Sequence, residues 1–233
     1  MIIIIDVANI NDFDDYEIKF LDESFLEDVL FLQNTIMEVL TDQKSYYVEN
    51  VEFFCKQLAN KDSSIGLFQK DQLVGFNIAS FPGMDKENLG IEVGLKQEEL
   101  SQVAEFGPVA IHPDHRRRGL LSKIIDRHIK SIRDIGYKHI CLTTAPNNYP
   151  AIRGAMAYGF VIKKLTLKYN NLLRYILHLS LSNPVKHPKY NVRIPNTDIE
   201  SLKFILGLGF YGYNVLKNEN GFDIVFGHDE IKA

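Results

Sequence analysis

Three consecutive arginines, Arg116, Arg117 and Arg118, stand directly before Gly119, between an apolar run ending at Ile111 and a helix-like run that begins near Arg118. Those residue types in that order suit the binding of an anion. At a helix N-terminus the first N–H groups have no carbonyl partner, the helix dipole adds partial positive charge, and a glycine lets the backbone approach a ligand closely. A guanidinium matches a phosphate through two parallel hydrogen bonds. The expected guest is a phosphate, and a solvated basic cap before a helix is the plainer alternative. The stretch "RRRGLLSK" lacks the Gly-Lys-Ser/Thr ending of a Walker loop and is not a GxGxxG fingerprint. Lys123, Arg127, Lys130 and Arg133 would make a basic helix suited to nucleic acid, but Asp114, Asp126 and Asp134 interrupt it, which disfavours that partner.

The chain around this stretch has 233 residues, 45% hydrophobic and 24% charged, the composition of a soluble globular protein with one sizeable core or a core plus an appendage. The opening "MIIIID" is too short for a membrane span and lacks the basic flank of a signal peptide, so it reads as a short strand or tail and no membrane partner is expected. Cys55 and Cys141, far apart and in apolar surroundings, read as buried thiols in a reducing, cytoplasmic compartment rather than as a disulfide or metal site. The net charge of −4 hides an asymmetry. Residues 1–110 hold 21 acids against 7 Lys and no Arg, whereas residues 111–233 hold 9 acids against 19 bases. An acidic half suits a cation and a basic half an anion, unless both charge sets are simply solvated faces.

The elements that must position the arginines follow from periodicity. A strand at 16–21 precedes an amphipathic helix at 23–40, with Asp22 and Ser24 as caps, and a second helix covers 48–60. Residues 64–81 read as a hairpin, and 82–100 as a long loop with one short helical turn. The strand at 102–113 contains Gly107 and Pro108, which mark a bulge or an edge because proline cannot donate to a ladder. A helix over 118–135, a strand at 139–145, a helix at 149–158 closed by Gly159 and a hairpin across Asn170–Asn171 complete a mixed α/β pattern: a central sheet flanked by helices.

On those residues the chain resembles the GNAT superfamily of acetyl-CoA-dependent N-acetyltransferases. Arg116-Arg117-Arg118-Gly119-Leu120-Leu121 is similar to its R/Q-x-x-G-x-G/A pyrophosphate loop, preceded by the strand and "HPDHR" turn usual there. "NNYPAIRGAMAYGF" at 147–160 resembles its N-x-x-A…GF helix through Asn148, Ala151, Gly159 and Phe160. The resemblance covers about residues 14–182, leaving 1–13 as a tail or short strand and 183–233 as a small C-terminal α/β extension.

The resemblance implies a cosubstrate, acetyl-CoA, and no metal. The pantetheine arm would bond to the backbone at Val109, Ala110 and Ile111 as an added strand, in a gap opened where this strand splays from 139–145. The N–H groups of Arg117 to Ser122 would cradle the pyrophosphate, with Arg116 and the other arginines on phosphates, and Asn148 and Arg153 would reach the cofactor from the following helix. Two positions depart from the pattern. Leu121 replaces the last small residue and is expected to turn into the core, and Ala155 stands where the family often has a tyrosine that protonates the leaving thiolate. Tyr158 or Tyr149 would substitute, or water would. The acceptor amine arrives as a cation and needs a base of raised pKa. Glu105, eleven residues before Arg116, resembles the catalytic glutamate of histone-type members, whereas His112 and His115 read as structural or phosphate-contacting residues.

The implied function is transfer of acetyl from acetyl-CoA to a primary amine of a cationic small molecule or peptide. A non-catalytic acyl-CoA-binding or regulatory module of the same fold is the alternative. In the tail, "PNTDIESLKFILGLGF" at 195–210 echoes "PNNYPAIRGAMAYGF" at 146–160 without an arginine loop, so one cofactor site is expected. The tail would extend the sheet, cover the acceptor groove or make a homodimer contact.

Overall fold

The computed structural model describes residues 15–40, 46–183, 188 and 190–228. The chain divides into two units, one holding the described residues of Met1–Thr41, Val48–Ala79 and Pro108–Ser131, the other those of Asp42–Tyr47, Ser80–Gly107 and Ile132–Ala233.

In the first unit, β1 (Tyr16–Phe20) pairs antiparallel with β2 (Ser64–Gln69), and β2 turns back into β3 (Gln72–Ser80). The turn residues Lys70 and Asp71 have φ of 49° and 66°, the left-handed pair that a two-residue hairpin between twisted strands requires. The end of β4 (Val103–Ile111) lies beside β3, and the chain just past it stays tied there through the His112 N–H, which donates to the Val74 carbonyl at 2.8 Å. The sheet is covered on both faces. Val29, Leu32 and Ile36 of α1 (Leu26–Val39) and Phe54 and Leu58 of α2 (Val51–Leu58) pack on Phe68, Phe76 and Ile78. On the other face Ile65, Leu67, Val74 and Ile111 pack against Leu120 and Ile124 of α4 (Leu120–Asp134). Burying each such side chain contributes about 1.5–3 kcal/mol, so α4 is held by its apolar stripe rather than by its many charges. Cys55 corrects the expectation of two buried thiols: α2 turns Phe54, Gln57 and Leu58 inward and leaves Cys55 exposed, and only Cys141 is buried.

In the second unit the first part of β4 runs parallel to β5 (His139–Thr144), from Val103↔His139 to Phe106↔Leu142. β4 continues unbroken through Gly107 and Pro108, so the expected interruption is of the ladder and not of the strand. β7 (Leu172–Ser180) pairs antiparallel with β5 and with β6 (Val161–Lys168), and β6 meets β9 (Tyr211–Asn218) at Ile162↔Gly212. β9 pairs with β10 (Gly221–His228), and β10 with β8 (Tyr190–Pro195), giving the order β4-β5-β7-β6-β9-β10-β8. In the segment read as a loop with one short helical turn, α3 (Leu89–Glu92) is such a turn, and a 3-10 stretch, Gln97–Gln102, forms besides it. Leu89, Val103, Cys141 and Ile176 make a small core there.

Two helices of this unit, α5 and α6, are closed alike. α5 (Tyr149–Ala157) is capped by Asn148, whose side chain accepts from the Ala151 N–H, and α6 (Ile199–Gly207) by Asp198, which accepts from the Ser201 N–H. Gly159 and Gly209 have φ of 89° and 87°, and the N–H groups of Phe160 and Phe210 donate back to Ala155 and Ile205. That is the left-handed glycine cap, satisfying the last carbonyls of each helix.

Candidate active site

The first unit carries the arginine loop. Pro113–His115 form one 3-10 turn, capped by His112, whose ring nitrogen accepts from the Asp114 N–H at 3.3 Å. The three arginines then part company. Arg116 donates from Nε to the Ile111 carbonyl at 3.1 Å, clasping the loop to the end of β4. Arg118 donates from Nη1 to the Tyr16 hydroxyl at 3.3 Å and from Nη2 to the Asp114 carbonyl at 3.4 Å. Among the described residues Arg117 makes neither kind of contact; it is exposed, with φ of 63°, and Gly119 follows with φ of 70°. Left-handed residues in a turn of this kind help to form the backbone concavities that bind anions. The first intrahelical bond of α4 runs from the Lys123 N–H to the Gly119 carbonyl, so the amides of Leu120 and Leu121 lie ahead of it. These features fit a pyrophosphate. Leu121 corrects the sequence reading: it is 47% exposed while Leu120 is 2% exposed, because Leu120 shares the buried helix face with Ile124. Upstream, Ala110 and Ile111 are buried in side chain and Val109 is exposed.

The second unit carries Glu105. Its carboxylate accepts from the Leu89 N–H at 2.6 Å, and Cys141 is its register partner on β5. Burial pushes its pKa up to about 7, with the charges of Asp85 and Glu87 adding to the rise; the Leu89 N–H and Lys168 act against it. Lys168 is itself shared with Glu92, which binds Lys164 at 2.5 Å and Lys168 at 3.1 Å and so ties α3 to β6. A half-buried carboxylate near neutrality is poised to take a proton at working pH.

α5 places the remaining predicted residues. Asn148 opens the helix with its side-chain oxygen engaged as the cap, Arg153 is exposed on it, and Tyr158 stands at its C-cap. Tyr149 is turned toward the C-terminal strands, 5.0 Å from the Phe222 ring, with Lys217 Nζ 5.4 Å from its own ring. Ala155 is spent on the helix end, its carbonyl accepting from Tyr158 and Phe160. Ser122 lies in the first turn of α4.

Sequence reasoning missed three contributors. Tyr16 reaches the loop from 99 residues away in sequence, Leu89 supplies the N–H on Glu105, and Lys168 tempers that carboxyl. Only the alternation of "YEIKF" could have flagged Tyr16 as an inward residue. Among the described residues no group of three or more His, Cys, Asp or Glu is placed to hold a metal, and no helix is long and apolar enough to cross a membrane.

Residues 27–160 match the model of the acetyltransferase (GNAT) family. No curated protein sequence matches the chain. Among solved structures, the chain is similar to the ribosomal-protein-S18-alanine N-acetyltransferase of Escherichia coli at 15% identity and TM-score 0.50, covering 75% of this chain and 99% of that one. It is similar to YncA of Salmonella typhimurium, solved with its cofactor acetyl-CoA, at 15% identity and TM-score 0.54 over 75% and 99% of the two chains. The PaiA N-acetyltransferase of Thermoplasma acidophilum, in complex with coenzyme A, aligns at 14% identity and TM-score 0.51 over 71% and 98%. At such identities the likeness is one of fold.

Proposed function

The chain belongs to the GNAT acetyltransferase family, and from that premise we propose that it moves an acetyl group from acetyl-CoA to a primary amine of a cationic acceptor. The observation that carries this reading is Glu105: a carboxyl held by a backbone N–H, raised to about 7, on the strand that leads into the arginine loop. We take residues 14–182 as the catalytic part and 183–233 as an extension. Acetyl-CoA would supply the thioester. The loop from Arg116 to Ser122 would hold its phosphates through backbone N–H groups and Arg117, and Val109 to Ile111 its pantetheine arm. Glu105 takes one proton from the acceptor's ammonium, so that the neutral nitrogen attacks the carbonyl carbon; as the C–S bond breaks the nitrogen sheds its second proton and the thiolate takes one up, so the products are the amide, the CoA thiol and the one proton held by Glu105. Tyr149 packs on Phe222 and Lys217, so Tyr158 is the first choice as the donor of that last proton. The acidic composition of residues 1–110 and the charges of Asp85 and Glu87 beside Glu105 favour a cationic acceptor, such as a polyamine, an aminoglycoside-like compound or a peptide N-terminus or lysine. Its apparent affinity is expected to fall with salt, because exposed charges are screened beyond about 10 Å at 0.1 M. The unpaired Cys55 and Cys141 are in keeping with work in the cytoplasm.

Acetyl-CoA binding tests the cofactor half of this reading. A ligand at one hundred times its dissociation constant should stabilise the fold by about 2.7 kcal/mol, a shift of a few degrees in melting temperature. An unchanged melting curve in millimolar acetyl-CoA would refute it.

A further inference from the structure

Resting on the cofactor reading, we propose that Tyr16 is a positioning residue for acetyl-CoA: its hydroxyl anchors His115 and Arg118, and thereby presents Arg117, alone of the three arginines, to the cofactor's phosphates. Tyr16 opens β1 and is 7% exposed, so its ring belongs to the core with Ile65, Val74 and Leu120. Its hydroxyl lies 2.9 Å from His115 Nδ1 and 3.3 Å from Arg118 Nη1, and the Tyr16 and His115 rings meet edge to face at 5.8 Å. A phenol has one proton to give and lone pairs to receive, and an arginine can only donate. The arginine therefore donates to Tyr16 Oη, and with a neutral His115 whose Nδ1 carries no proton the phenol gives its own proton to that nitrogen. Burial, with the charges of His112 and Arg118, lowers the His115 pKa in the direction this bond needs. The same strand receives a second tie, from Lys123 Nζ to the Tyr16 carbonyl at 3.4 Å.

The consequence falls on Arg117. A side-chain-bearing residue in the left-handed region costs roughly 1 kcal/mol, and such strain persists only where its surroundings fix it. Here they do. Arg116 is clasped to Ile111 and Arg118 to Tyr16 and Asp114, so the residue between them cannot relax without breaking a bond on one side. The guanidinium left without such a bond among the described residues is that of Arg117, exposed like its two neighbours. Tyr16 thus acts on the cofactor through other residues, without touching it.

Tyr16→Phe keeps the ring and deletes the hydroxyl. Losing a hydrogen bond to a charged partner should raise the KM for acetyl-CoA about five- to tenfold, with kcat and the acceptor's KM unchanged, a split that loss of folding would not produce. Arg118 is exposed, so Arg118→Gln removes the same contact without risk to the core and should give the same rise. Because both delete one linkage, the double variant should be no worse than the poorer single one. Arg117→Gln should weaken acetyl-CoA binding at least as much. Wild-type protein that binds acetyl-CoA while Tyr16→Phe keeps the same KM, or additive losses in the double variant, would overturn this inference alone. Wild-type protein that binds no acetyl-CoA would overturn the cofactor reading with it.

Discussion

The strand–helix–strand–strand run β5-α5-β6-β7 and the run β8-α6-β9-β10 follow the same course 50 positions apart, as Asn148 and Asp198, Gly159 and Gly209, and Phe160 and Phe210 record. They even meet through equivalent residues, Ile162 and Gly212. Their surroundings differ. β5 has a parallel neighbour on its far side, β4, which brings Glu105 to Cys141; β8 pairs with β10 alone among the described strands, and no arginine loop precedes it. The helix caps and hairpins that make the module fold are present twice, whereas Glu105 and the arginine loop occur once, on β4 and just after it, outside the module. A repeated frame does not repeat the function, because the function lives in the grafted site.

The largest expected effect tests that asymmetry at its source. Glu105→Gln should lower kcat/KM by about 10² or more while leaving acetyl-CoA binding intact, and should abolish the acidic limb of the pH–rate profile near 7. The same substitution should alter stability with a definite sign. A carboxyl whose folded pKa lies above its ordinary 4.5 destabilises the fold once the unfolded chain ionises. The wild type should therefore lose melting temperature relative to Glu105→Gln as pH rises from about 4.5 through about 7, and equal curves at pH 5 and pH 8 would count against the buried carboxylate.

Next in size is the arginine loop, which the second module lacks. Gly119→Val forces a branched side chain into a left-handed position, and should remove most of the acetyl-CoA stabilisation of about 2.7 kcal/mol at one hundred times the dissociation constant. Tyr158→Phe sharpens the assignment of the proton donor. A fall in kcat of about 10² with unchanged acetyl-CoA affinity is expected, and full activity would leave the thiolate to water.

The smallest effects compare the modules where they are alike. Asn148→Ala and Asp198→Ala each remove a helix cap and should each cost about 1 kcal/mol, measured by denaturant unfolding. Only Asn148→Ala should also weaken acetyl-CoA binding; a matching loss in Asp198→Ala would mean that the second module takes part in the site after all.

What the sequence made legible follows the range of the interactions. The tight turn read at Lys70 to Gln72, which falls at Lys70 and Asp71, and the closing of α5 by Gly159 both depend on residues within a few positions of one another. Leu121 and Cys55 were misjudged because an amphipathic pattern gives a helix but leaves its phase open by about one residue near a short helix or a helix start; a shift of one position exchanges Leu121 for Leu120 and Cys55 for Phe54. Tyr16 and the groups that act on the Glu105 carboxyl, Leu89 and Lys168, stayed hidden for a different reason. The first depends on a contact across 99 residues, and the others on Leu89, in the segment read as a loop with one short helical turn, and on Lys168 of β6, far from Glu105 in sequence.

The central claim is that this chain transfers acetyl, with Glu105 as the base that frees the amine. The most direct measurement is release of free CoA thiol from acetyl-CoA, followed from pH 5.5 to 9 (about the range around Glu105's value) with polyamines and with peptides bearing a free N-terminus or lysine. The account predicts thiol release matched by acetylated amine, rising through an apparent pKa near 7 and weakening as salt is added. Binding of acetyl-CoA with no thiol released for any amine at any pH would contradict it, and would make the chain an acyl-CoA-binding module instead.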